Sequence, residues 1–159
     1  MLLFLLMFAS VFSGYITQSN NPMRIVILKK REKMKRDIEL VLKILKVLEE
    51  REDVSMVEDI EDLKLPDYDN RVVNYHLLRM YEAGLIDAEA VTSSTTKTRL
   101  IQVYPFGLTW QGHEFLDAMK NQSVFSKVKE KLRGKLDDIP FVLLKELALK
   151  FAREQLGLL

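Results

Sequence analysis

"NYHLLRMYEAGLID", residues 74–87, decides how the rest of the chain is read. With Val73 just before it, apolar side chains recur at Val73, Leu77 and Met80, the three- and four-residue spacing of one helix face. Gly84 follows as a C-terminal stop, and Leu85-Ile86 opens a strand. A helix, a glycine and a strand in that order form the junction where a winged helix passes from its recognition helix to its wing.

Working outward, Asp67 and Asp69 are both suitable caps for the start of this helix. The segment before it, "EDVSMVEDIEDLKLPDYD", is acidic and ambiguous. Val57, Ile60 and Leu63 keep helical spacing, Leu63 and Leu65 alternate like a strand, and Pro66 stops either element. A helix-turn-helix would place its second helix here. Further upstream, a helix is expected over about Met34 to Arg51, with Asp37 as a cap or in its first turn. Its residues Ile38, Val41, Leu42, Leu45 and Leu48 follow one face, and Leu40, Ile44 and Val47 widen it. Such a helix fits a core position or a dimer seam.

Downstream, "AVTSSTTKTRLIQVYPF" reads as a β-hairpin with a Ser/Thr-rich tip between arms carrying Val91, Ile101 and Val103. Thr109 caps "WQGHEFLDAMK", Ser123 is the expected cap of "VFSKVKEKLRG", and Pro140 suits a first helical turn. The last helix, with Phe141, Leu144, Ala148 and Phe151 as its stripe, runs to about Leu156. The expected fold is mainly α with a small β-hairpin, a winged helix with a C-terminal helical extension over 34–159.

The first 33 residues read differently. "MLLFLLMFASVFSGY" is apolar, lacks the basic start of a signal peptide, and falls short of the roughly 20 apolar residues of a membrane span. "KKREKM" can be encoded by purine-rich codons that resemble a ribosome-binding site before Met34. Residues 1–33 are therefore expected to be a leader outside the natural domain, and the protein to be cytoplasmic. The alternative is an N-terminal membrane anchor, with the basic cluster Arg24 to Arg36 keeping the rest in the cytoplasm.

A net charge of +1 hides an asymmetry. Of 24 basic and 23 acidic residues, five basic and one acidic lie in 1–33, which leaves 19 and 22 from Met34 onward, near −3. Non-specific DNA binding draws on phosphate neutralisation, so this balance argues against a large basic footprint. The absence of cysteine excludes disulfides, thiolate zinc sites and cysteine nucleophiles. His76, on a flank of the central helix, and His113 have no nearby ligand spacing. There is no phosphate-binding glycine loop and no nucleophile elbow. No enzyme activity and no cofactor are expected.

"MKRDIELVLKILKVLEE", "YHLLRMYEAGLI", "LTWQGHEFLDAMKNQSVFSKVKEKL" and "LALKFAREQLG" together resemble a bacterial and phage family, domain of unknown function 2513, from Met34 to the C-terminus. The layout is also similar to the phage-related YjcQ family, which has a winged-helix fold; Phe125 stands where a tryptophan is expected. The resemblance implies that fold and a prophage-type context, and carries over no catalytic residue.

Two functions follow as expectations. One is a DNA-binding protein of phage type, a transcriptional regulator that contacts double-stranded DNA through Arg71, Asn74 and Arg79 of the central helix and Lys97 and Arg99 of the wing. The other is a protein-interaction module that uses Tyr75 and Leu78 of the same helix. A homodimer through the first and last helices is expected with either. A further basic cluster at Lys127, Lys129, Lys131, Arg133 and Lys135 has Glu130 against it and reads first as a solvated helix face.

Overall fold

A computed structural model of the chain describes residues 34–158; the leader expected over 1–33 lies outside them. The elements are α1 (Ile38–Glu49), a 3-10 turn (Ile60–Leu63), α2 (Asn70–Glu82), β1 (Ile86–Thr92), β2 (Leu100–Leu108), α3 (Trp110–Lys120), α4 (Gln122–Lys131), a second 3-10 turn (Leu136–Asp138) and α5 (Phe141–Gln155). The fold is mainly α with one small antiparallel hairpin. Its element order is that of a winged helix extended by helices at its C-terminal end.

The first helix begins at Ile38 and not at Met34, because Asp37 is its cap: the carboxylate accepts from the Leu40 N–H at 3.0 Å. Ile38, Leu40, Val41, Ile44, Leu45 and Leu48 are buried, and Leu42 and Val47 pack against the core. The wide apolar arc of α1 is thus covered by its own chain. Of the dimer seam expected from the first and last helices, only α5 keeps exposed apolar side chains, Val142 and Leu143.

The ambiguous acidic segment is mostly extended. The Val57 N–H donates to the Pro105 carbonyl at 2.9 Å, a single strand-like link to the open edge of β2. One 3-10 turn, capped by Asp59, stands where the second helix of a helix-turn-helix was expected. It stops at Lys64, in the left-handed region at φ 50°, two residues before Pro66. Four residues with helical spacing at only Ile60 and Leu63 bury too little to hold a longer helix.

Asp69 caps α2, and the helix ends in a Schellman motif. The Leu85 N–H reaches the Met80 carbonyl and the Gly84 N–H the Tyr81 carbonyl, both at 2.9 Å, with Gly84 at φ 67°. The start of α3 docks on this junction. The Thr109 hydroxyl donates to the Gly84 carbonyl at 2.6 Å, and the Thr109 N–H to the Leu85 carbonyl at 3.1 Å. A Cβ on Gly112 would lie 2.1 Å from that Leu85 oxygen, so only glycine allows α3 to come this close. The passage from α2 to the hairpin is therefore fixed from outside by the next helix.

In the hairpin, Ile86 pairs with Leu108, Ala88 with Pro105 and Ala90 with Val103. Register shifts occur after Asp87 and after Val91; the second leaves Ile101 without a partner and exposed.

Asn121 caps α4, in place of the expected Ser123; its side chain accepts from the N–H groups of Ser123 and Val124 at 3.0 and 3.3 Å. The Phe115 ring of α3 meets Phe141 of α5 edge-on, centroids 4.9 Å apart, and Leu144 and Ala148 of α5 are buried. The arm before α1 ties this extension to the winged part. Lys35 pairs with Asp138 at 2.9 Å, Arg36 donates to the carbonyls of Asp137 (2.8 Å) and Ile139, and the Ile38 N–H donates to the Asp137 carboxylate at 2.9 Å. No helix among the described residues is long and apolar enough to cross a membrane.

Candidate functional site

The outward face of α2 carries the side chains that the sequence proposes for reading DNA. Arg71 and Arg79 are exposed, Asn74, Tyr75 and Leu78 are half-buried, and Val73, Leu77 and Met80 face the core. The expected helix phase holds at these positions. His76 does not sit on a flank: it is fully buried, because its ring completes the joint with α1. Its Nδ1 lies 2.7 Å from the Val72 carbonyl and its Nε2 accepts from the Asp37 N–H at 2.9 Å. That arrangement requires a neutral ring with the proton on Nδ1.

Neither arginine of this face is free. The Arg71 guanidinium grips the cap of its own helix, with Nε 3.1 Å and Nη2 3.2 Å from the two Asp69 oxygens. The hydrogen bond that Arg71 donates to Asp69, and then the Asp69 charge, raise the Arg71 pKa above its ordinary value. Arg79 pairs with Glu82 at 2.6 Å and lies over the Tyr75 ring, 5.5 Å from its centroid. Asn74 turns its amide oxygen inward, where it has no hydrogen-bond partner. Each cation is held beside an acid of its own helix or cap, which offsets its charge, although an exposed pair of this kind contributes only about 0–1 kcal/mol.

The surroundings act the same way. Residues 58–89 hold nine acids, including Glu58, Asp59, Glu61 and Asp62 beside the first 3-10 turn, and three bases, Lys64, Arg71 and Arg79. The Asn70 amide donates to Glu61 at 3.4 Å, so this acidic turn lies against the start of α2.

The wing differs. Lys97 and Arg99 are exposed at its tip, and neither side chain forms an ion pair among the described residues. The tip is shaped by its own hydroxyls: Ser93 Oγ lies 3.0 Å from Thr95 Oγ1 and accepts from the Thr96 N–H at 3.3 Å. The two cations are thus carried on a turn that leaves them to solvent. Of the five wing and helix residues, Arg71 and Arg79 are held in ion pairs, while Lys97 and Arg99 have none among the described residues.

His113 Nδ1 lies 3.5 Å from a Glu49 oxygen on the surface. Among the described residues, no group of three or more His, Asp or Glu side chains is placed to hold a metal ion. Sequence reasoning missed Gly112 and the depth of His76. The signal for Gly112 was a glycine inside a helical pattern, in the first turn of α3, which costs up to about 1 kcal/mol against alanine and asks for a packing reason.

No solved structure matches the chain. An uncharacterised protein of Haemophilus influenzae is 31% identical over 119 residues, covering 72% of this chain and 92% of that protein. The family model described as "Hypothetical protein (DUF2513)" matches residues 35–135, from the arm before α1 to the turn after α4. The chain is a member of the DUF2513 family.

Proposed function

We propose that this chain is a non-enzymatic winged-helix protein that binds double-stranded DNA by its phosphate backbone, through the wing and not by base reading from α2. The observation that carries this is the division of charge: Arg71 and Arg79 are neutralised by Asp69 and Glu82, while Lys97 and Arg99 stand free. Backbone contact of this kind positions a protein without specifying a sequence. Binding is then weak, tolerant of sequence and steeply salt-dependent. The test is a gel shift of the full chain with random duplex DNA at low salt. A complex that dissolves as salt rises supports the reading, and the absence of any complex rejects it.

A second reading rests on α2 itself. Its acidic surroundings, with half-buried Tyr75 and Leu78 between the paired arginines, suit a protein partner with a basic rim. In that case Tyr75→Glu or Leu78→Glu abolishes partner binding while Lys97→Ala and Arg99→Ala leave it unchanged.

A further inference from the structure

Several further cations lie close together along α4 and the turn after it. Lys120 pairs with Asp117 and contacts Glu49, and Lys129 with Glu39. Lys135 and Asp138 lie close enough for the lysine charge to help lower the carboxyl pKa. Between them, Lys127, Lys131 and Arg133 are exposed and form no ion pair among the described residues. The rest of this region is committed to packing: Val124 and Val128 are buried, and Phe125 lies half-buried beneath the Lys129 ammonium, 5.7 Å from its ring centre.

Lys127 and Lys131 are four residues apart on α4, so they share a flank and lie about 6 Å apart along its axis. At about 100° per residue, buried Val128 lies about 100° from Lys127 and about 60° from Lys131, so the two lysines border the buried face of α4. Arg133 follows in a left-handed turn at φ 50°, ahead of Gly134 at φ 75°. The Gly134 N–H bonds the Lys129 carbonyl at 2.9 Å, which holds this turn against the end of α4. Three positive charges, with the single acid Glu130 among them, are thereby presented on one short, anchored piece of backbone.

We infer that Lys127, Lys131 and Arg133 form a second phosphate-backbone contact for duplex DNA, separate from the wing. The inference rests on the DNA reading above and extends it to the C-terminal helices. α4 packs on α3 and α5. Where both contacts engage one duplex, each adds its own contribution to the salt slope.

The test is a salt titration of random-duplex binding by the full chain, its Lys127→Ala/Lys131→Ala variant, its Lys97→Ala/Arg99→Ala variant and a Lys46→Ala control. Lys46 is exposed and paired with Glu50 at 3.7 Å. Each phosphate contact contributes about 0.9 to the slope of log affinity against log salt. The α4 variant is expected to flatten the slope by about two with an unchanged thermal melt, and the control to leave it as it was. If the wing variant alone flattens the slope, the α4 contact is rejected and the DNA reading stands. If no variant binds because the full chain does not, both fall.

Discussion

The Asp37 N–H donates to Nε2 of His76 at 2.9 Å, and through this bond the start of α1 is fixed to the middle of α2. The other ring nitrogen is satisfied within α2 by the Val72 carbonyl at 2.7 Å. Asp37 meanwhile caps α1 with its side chain. One residue therefore ends the extended arm, starts the core helix and receives the helix that leads to the wing. His76→Ala leaves the Asp37 N–H without its partner and opens a space in the core. The expected cost is about 2–5 kcal/mol in urea unfolding. A loss below about 1 kcal/mol would mean that the ring does not hold this joint.

At Gly112 two effects oppose each other. Alanine gains about 1 kcal/mol over glycine inside a helix. Against that, its Cβ would meet the Leu85 carbonyl at 2.1 Å, and backbone cannot step aside as a side chain can. Overpacking of this kind costs about 1–3 kcal/mol, sometimes more. Gly112→Ala is expected to lower the melting temperature, and a variant more stable than the parent would contradict the close docking of α3.

Leu45 and Leu77 are completely buried. Replacement of either by alanine is expected to cost about 2–5 kcal/mol. Leu78 is half-buried at the edge of the core, so Leu78→Ala is expected to cost clearly less than Leu77→Ala. Equal costs in denaturant melts would place the face of α2 wrongly.

The Lys35–Asp138 pair predicts a direction with pH. The hydrogen bond and charge of Lys35 hold the Asp138 carboxyl below its ordinary value, and the same contact raises the Lys35 ammonium. A lowered carboxyl pKa stabilises the fold above the unfolded aspartate value and is lost as pH falls through the folded value. On the alkaline side, the raised Lys35 contributes below its unfolded value and is lost as pH rises through the folded one. In an NMR titration, Lys35→Ala is expected to move the Asp138 midpoint upward. An unmoved midpoint would show that the pair does not persist in solution.

Trp110 is the one tryptophan of the chain, and it is 80% exposed; its indole N–H donates to Glu114 at 3.1 Å. Native fluorescence is expected near that of solvated indole, with little red shift on unfolding. A strongly blue-shifted native spectrum would mean that something covers this side of α3.

The helix-to-wing passage was legible because its signals are local. Apolar spacing set the face of α2, Asp67 or Asp69 and Gly84 marked its ends, with Asp69 proving to be the cap, and Thr109 marked the start of α3. The extent of the first 3-10 turn was not legible, since four residues carry no periodicity and the Val57–Pro105 link crosses 48 positions of sequence. The same limit hid the joint at His76, whose partners are set by how α1 meets α2. At the candidate site, residue types were visible and their pairing was not. Arg79 has Glu82 three residues on, which a helix brings together. Arg71 turns back to its own cap, a choice made by cap geometry and not by composition. The face of α2 therefore has the expected phase, with both of its arginines held in ion pairs.

The central claim is that the wing, and not α2, carries the DNA contact. It is tested most directly by measuring random-duplex affinity at one low salt concentration for Lys97→Ala/Arg99→Ala and for Arg79→Ala/Glu82→Ala, which removes both members of an α2 ion pair and leaves the net charge unchanged. The account predicts a large loss of affinity for the wing pair and little change for the helix pair. The reverse order, with affinity lost at Arg79/Glu82 and kept at Lys97/Arg99, would contradict it.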